Sequence, residues 1–167
     1  LIGADAEAIA TAEDRERFKL AMIEIGMEVP RSGTARGTGP DKKAAVEQLA
    51  RRHPYVDLNK VGIWGHSGGG FMSAAALLVY PDFFKVAVSS AGNHDNRSYD
   101  YTWGEKYQGL LKKLSDSTDS FDSQSNWRKA RQLQGRLLLS YGTLDDNVHP
   151  VATQLVIDEL IRANKDF

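Results

Sequence analysis

Lys60-Val61-Gly62-Ile63-Trp64-Gly65-His66-Ser67-Gly68-Gly69-Gly70-Phe71-Met72-Ser73-Ala74-Ala75-Ala76-Leu77-Leu78-Val79-Tyr80 is the stretch that decides the fold. Residues 60–64 form a short apolar run with strand character, and 70–80 read as a buried helix. Between them stands G-x-S-x-G, from Gly65 to Gly69. Strand, glycine-flanked turn and helix form the setting in which this pattern bends the backbone sharply at its serine. Small neighbours let strand and helix close around the turn, and Ser67 then projects its hydroxyl from the top of a sheet. The N–H of Gly68, at the mouth of the helix, would face a developing oxyanion. The plainer alternative for the same letters is a glycine-rich turn with no chemistry.

Outward from this stretch the chain alternates. Residues 5–25 read as one helix, capped by Asp5, with Phe18, Met22 and Ile25 on one stripe and a stop at Gly26. A short strand is expected over 27–34, a loop over 36–40, and a helix over 41–52 with Pro40 placed to open it. After the serine, strands are expected at 85–90 and 136–141 and a helix at 150–163 carrying Val151, Leu155, Ile157, Leu160 and Ile161. Residues 92–125 are polar, aromatic and irregular, read as loop with short helical pieces, and such long segments are often functional. Apolar strands without alternation, interleaved with helices, predict an α/β fold. The expected form is a three-layer αβα arrangement with a mostly parallel sheet covered on both faces.

Composition sets mild bounds. At 167 residues the chain is long enough for one domain with a real core. A formal net charge of −1 gives no reason to expect nucleic acid or an anionic membrane as partner. The chain has no cysteine, which excludes disulfides, Cys-ligated zinc and thiol catalysis and leaves the compartment open. Its longest apolar run, 74–80, is far too short to span a bilayer. His53, His66, His94 and His149 have no metal-site spacing, so neither metal nor cofactor is expected. Because the chain opens on Leu1 and not Met, a segment upstream is expected to have been removed.

A serine hydroxyl needs a base, and the base an oriented acid. On an α/β-hydrolase scaffold the chain order is Ser, Asp or Glu, then His. Gly142-Thr143-Leu144-Asp145-Asp146-Asn147-Val148-His149 follows the last expected strand, where an acid belongs. Asp145 is the candidate and Asp146 the runner-up, the alternative being two turn-forming aspartates that cap the next helix. The base is harder to place. His149 lies only four residues past Asp145, His66 adjoins Ser67, and His94 comes before the acid. The base is therefore expected outside these residues, beyond Phe167 or on a partner.

From about Arg36 onward the chain resembles the catalytic domain of the prolyl oligopeptidase and dipeptidyl peptidase IV family of serine peptidases. Four blocks occur in the family's order: 57–70, 80–88, 91–95 and 142–149. The resemblance implies Ser67 as nucleophile, Asp145 as triad acid, Asn147 as an anchor for a substrate carbonyl, and Tyr99, Trp103 and Val148 around an apolar pocket. It also implies a peptide substrate. The family's propeller, its first sheet strands, the upstream tyrosine of its oxyanion hole and its histidine-bearing C-terminus have no counterpart in the sequence. Residues 1–36 resemble a different family, the large subunit of carbamoyl-phosphate synthetase near the start of an ATP-grasp domain. There the arginine matching Arg15 contacts nucleotide, whereas on the residues alone Arg15 reads as a surface charge. Together the two resemblances suggest a chimera, divided into 1–36 and 37–167 but forming one compact unit. The expected activity is dipeptidyl-peptidase-type hydrolysis, weak or absent without the histidine. The alternatives are a non-catalytic scaffold or nucleotide binding through the N-terminal segment. An incomplete sheet would also leave an edge for a homodimer or a partner chain to cover.

Overall fold

The computed structural model describes residues 5–29 and 39–167, with only the backbone described at 39–42. The chain divides into two compact units, Leu1–His53 and Pro54–Phe167; the division expected at residue 36 lies outside the described residues. In the first unit, α1 spans Ala6–Glu13, α2 Arg15–Glu24 and α3 Gly39–Arg52. Asp5 caps α1 through Oδ1, which accepts from Ala8 N at 2.7 Å. The single helix expected over 5–25 is two. Asp14 leaves helical geometry (φ −91°, ψ 114°) and its carboxylate accepts from Glu16 N and Arg17 N. A short acidic side chain that caps a second helix competes with continuation of the first. Of the expected stripe, Met22 is half-buried while Phe18 and Ile25 are exposed. Gly26, at φ +80°, ends α2 as expected. Residues 27–29 are irregular, and the rest of the expected strand lies outside the described residues.

In the second unit the elements are β1 (Gly62–His66), α4 (Gly68–Val79), β2 (Val86–Ser90), α5 (Tyr101–Gln108), α6 (Asn126–Lys129), β3 (Arg136–Ser140) and α7 (Val151–Arg162). The strands form one parallel sheet in the order β1-β2-β3. Ala74, Leu77 and Leu78 of α4, Leu137 of β3 and Val156 and Leu160 of α7 close the core on one face of it. On the other face Trp64, Val86 and Leu138 are exposed. No helix among the described residues is long and apolar enough to cross a membrane.

Register is what positions the site. His66, Ser90 and Ser140 lie in line at the C-terminal ends of the three strands. The ladder runs one step further, with Ser67 N donating to Ser90 O at 2.9 Å and Ala91 N to Ser140 O at 2.7 Å. Three successive chain exits therefore leave from one edge of the sheet: the turn at Ser67, the 92–125 segment and the 142–149 loop. That is where an open parallel sheet places its ligand site.

Candidate active site

Ser67 occupies a backbone conformation that L-residues avoid, φ 56° and ψ −122°. Such a conformation costs about 1–3 kcal/mol and persists only when its surroundings enforce it. They do so here. A Cβ on Gly65 would fall on the Gly69 carbonyl group, 2.5 Å from its carbon, and one on Gly70 would stand 2.5 Å from Ser90 O. Both glycines are required by close backbone approach, whereas a Cβ on Gly69 would meet nothing within 4 Å. The helix then starts at once, with Phe71 N donating to Ser67 O at 3.0 Å. No side chain caps α4, so the amides of its first turn, Gly68 among them, remain available to an anion.

Beside this turn lies a cavity of about 310 Å³ lined by Tyr99, Asp100, Thr102, Trp103, Lys106 and Asn147. Tyr99 Oη donates to Asn147 Oδ1 at 3.3 Å, and the Tyr99 and Trp103 rings meet edge to face at 6.2 Å between centroids. Trp103 also reaches the turn: a Cβ on Gly68 would come within 2.8 Å of its Cζ2. The structure thus brings Tyr99, Trp103 and Asn147 together next to Gly68. Val148 is buried and is not part of the cavity lining.

Asp145 is half-buried in the loop after β3, and its Oδ1 accepts from Asn147 N at 3.1 Å and Val148 N at 2.9 Å. Those bonds fix the carboxylate's orientation by its own loop. Asp146 is exposed. Three of the histidines have partners other than Ser67 and Asp145. His66 Nδ1 meets Ser90 Oγ at 3.1 Å, and His149 Nδ1 accepts from Val151 N at 3.2 Å. His94 is fully buried between Ser89 Oγ and Asn126 Nδ2, and burial pushes its imidazole down to about 4. Among the described residues no cluster of His, Asp and Glu could hold a metal ion.

Sequence reasoning missed what organises 92–125. Arg97 binds Asp119 through two nitrogens (Nε–Oδ2 2.9 Å, Nη2–Oδ1 2.8 Å), Asp95 at 2.6 Å and Asp122 at 2.5 Å. Arg128 joins through Asp122, and Trp127 Nε1 donates to Asp95 Oδ2. The Asp119 hydrogen bond, then the nearby charges, raise the Arg97 guanidinium above its ordinary value against the cost of burial. Asp119 is held below the usual carboxylate range, first by Arg97. Asp122 is held low as well, first by the Asp119 backbone N–H. Asp95 is two positions from Arg97, but Asp119 and Asp122 stand 22 and 25 positions away, and no periodicity announces such a pairing.

This geometry agrees with the comparisons to known proteins. The prolyl oligopeptidase family model matches residues 32–167. The chain belongs to that family. Dipeptidyl peptidase 8 of Homo sapiens is 33% identical over 160 residues, covering 90% of this chain and 15% of that protein. Dipeptidyl peptidase family member 1 of Caenorhabditis elegans is 37% identical over 131 residues, or 76% of this chain and 15% of the relative. Among solved structures, dipeptidyl peptidase 4 of Porphyromonas gingivalis superposes with a TM-score of 0.65 at 35% identity, over 77% of this chain and 18% of that one. The chain spans about 15% of the length of the curated relatives it matches. Because the human relative aligns with 90% of the chain, more than residues 37–167 alone supply, a separate origin for residues 1–36 finds no support. Arg15, the one residue that carried the nucleotide reading, is simply exposed on α2.

Proposed function

We propose that this chain carries the nucleophile portion of a dipeptidyl-peptidase-type serine hydrolase. Ser67 attacks the carbonyl of a peptide bond and the Gly68 N–H receives the resulting oxyanion. Asp145 orients the histidine that serves as base. Tyr99 and Trp103 face the side chain before the scissile bond, and the Asn147 amide anchors a substrate carbonyl. The observation that carries this reading is the enforced positive φ of Ser67 at the strand-to-helix turn, beside a cavity that already holds Tyr99, Trp103 and Asn147. A strained nucleophile at a helix mouth is a functional device and a poor structural one.

His66 and His149 bond Ser90 and Val151 through Nδ1, His94 is enclosed by Ser89 and Asn126, and no contact in the structure joins any of the three to Ser67. The base is supplied from outside the 167 residues, and the chain alone turns over weakly or not at all, since removing one triad member costs several orders of magnitude. A fluorophosphonate probe at neutral pH tests this. Slow labelling that disappears in Ser67→Ala is expected. Rapid stoichiometric labelling of Ser67 would show that one of the chain's own groups acts as base, and labelling at another residue would remove Ser67 from the role.

A further inference from the structure

Gly70 and Phe71, in the first turn of α4, have carbonyls that receive bonds from outside the helix. Ser89 Oγ donates to Gly70 O at 2.8 Å and Asn126 Nδ2 to Phe71 O at 2.9 Å. Both donors also touch one imidazole, Asn126 Nδ2 at His94 Nδ1 (2.9 Å) and Ser89 Oγ at His94 Nε2 (3.3 Å). The protons follow from these contacts. Asn126 must present its NH₂ to Phe71 O, since the flipped amide would set two oxygens against each other, and its buried Oδ1 is left without a partner. His94 Nδ1 is then an acceptor and Nε2 carries the hydrogen, which it donates to Ser89. Ser89 in turn donates its hydroxyl hydrogen bond to Gly70 O.

The ring is held tightly in this position. His94 is fully buried, and a Cβ on Gly92 would lie 2.5 Å from His94 Cε1 and 2.9 Å from Phe71 N. No charged side chain among the described residues contributes to its state. Ser89 reaches it from β2, Asn126 from α6 and Gly70 and Phe71 from α4, while the adjacent Asp95 turns to Arg97 and Trp127. Leaving Asn126 Oδ1 unpaired costs free energy that a plain core would avoid.

We infer that His94 is a positioning residue, whose neutral Nε2–H form clamps the first turn of α4 through Ser89 and Asn126 and so holds Ser67 and the Gly68 amide in their working geometry. The inference rests on the proposed role of Ser67, but its test reads the backbone and needs no turnover. In the ¹⁵N-labelled 167-residue chain, two-bond ring spectra at neutral pH show the proton on Nε2. On acidification the Ser67 and Phe71 amides shift with the same midpoint as the His94 ring. In His94→Leu, hydrogen-exchange protection at Ser67 and Phe71 falls at least tenfold more than at the β3 amides. His94→Gln, whose amide reaches the Nε2 position and restores a donor to Ser89, recovers part of it. A ring proton on Nδ1, elbow amides indifferent to the titration, or equal loss of protection in the elbow and β3 would each overturn the inference. If His94→Leu does not fold, the titration of the unaltered chain and His94→Gln still decide. Failure of Ser67 to take a probe would count against the hydrolase reading and leave these readouts standing.

Discussion

The turn at Ser67 and the segment that forms the neighbouring cavity are built by different physics. At the turn, shape comes from backbone pressed on backbone: Gly65 against Gly69, Gly70 against Ser90, and a serine forced to φ 56°. In the 92–125 segment, shape comes from charge, with one guanidinium gathering three carboxylates and so fixing Tyr99, two residues beyond it. Backbone pressed on backbone is nearly all-or-none and does not itself titrate. Charge design is graded and titratable. The turn at Ser67 therefore rests mainly on the rigid kind, with the His94 clamp as a titratable addition, and the cavity on the adjustable kind.

The largest effect expected from this contrast is at Gly65. Gly65→Ala places a methyl group on the Gly69 carbonyl, where no rotamer can relieve it, and should cost at least about 3 kcal/mol in urea unfolding. Gly69→Ala, in the same five-residue motif, meets open space and should cost nothing, because alanine is also the better helix former. Equal losses at the two positions would mean that the motif's glycines serve chain flexibility and not close approach.

The same contrast explains what could be read from the sequence. The turn is local: strand, serine, glycines and helix lie within twenty residues, and the residues alone gave the parallel α/β arrangement. The place of Asp145 in the loop after β3 was also within reach, since a loop after an apolar strand is a short inference. The break at Asp14 was not seen because apolar periodicity runs straight through it, while the competing signal is a single carboxylate accepting two amides. The Arg97 clasp was invisible for a different reason. Its members are scattered over 28 residues (95–122) of a polar segment, and only the folded chain selects which charges meet. His94 posed the same problem. As a letter it is a candidate base, and only its burial between Ser89 and Asn126 shows it to be a neutral clamp.

Of intermediate size is the response of the clasp. Arg97→Met leaves Asp95, Asp119 and Asp122 facing one another with only Arg128, on Asp122, as countercharge, and should cost about 2 kcal/mol at neutral pH. Acid sharpens the point. Asp119 and Asp122 are depressed from an ordinary value of 3.8, so their contribution is intact above that value and is lost as pH falls below it toward their folded values. His94 acts in a different window. Its folded value of about 4 lies below the ordinary 6.5, so stability declines as pH falls from 6.5 to about 4, where the unfolded chain takes up a proton that the folded chain refuses. Unfolding free energy should therefore fall in two limbs. Arg97→Met should flatten the lower limb and His94→Gln the upper, and a single limb removed by either variant would mean that the two networks unfold as one.

The smallest effect tests the strain itself. Ser67→Gly removes the Cβ that makes φ 56° unfavourable and should raise stability by about 1 kcal/mol, part of the relief being offset by glycine's greater freedom in the unfolded chain. Ser67→Ala keeps the Cβ and should gain nothing, although it deletes the hydroxyl just as completely. The pair separates two explanations that a single variant would confuse. If both variants stabilise equally, the cost at this position lies in the hydroxyl and not in the backbone. If only the glycine does, the chain is holding its serine against a measurable restoring force, and that force is what the packed glycines and the His94 clamp oppose.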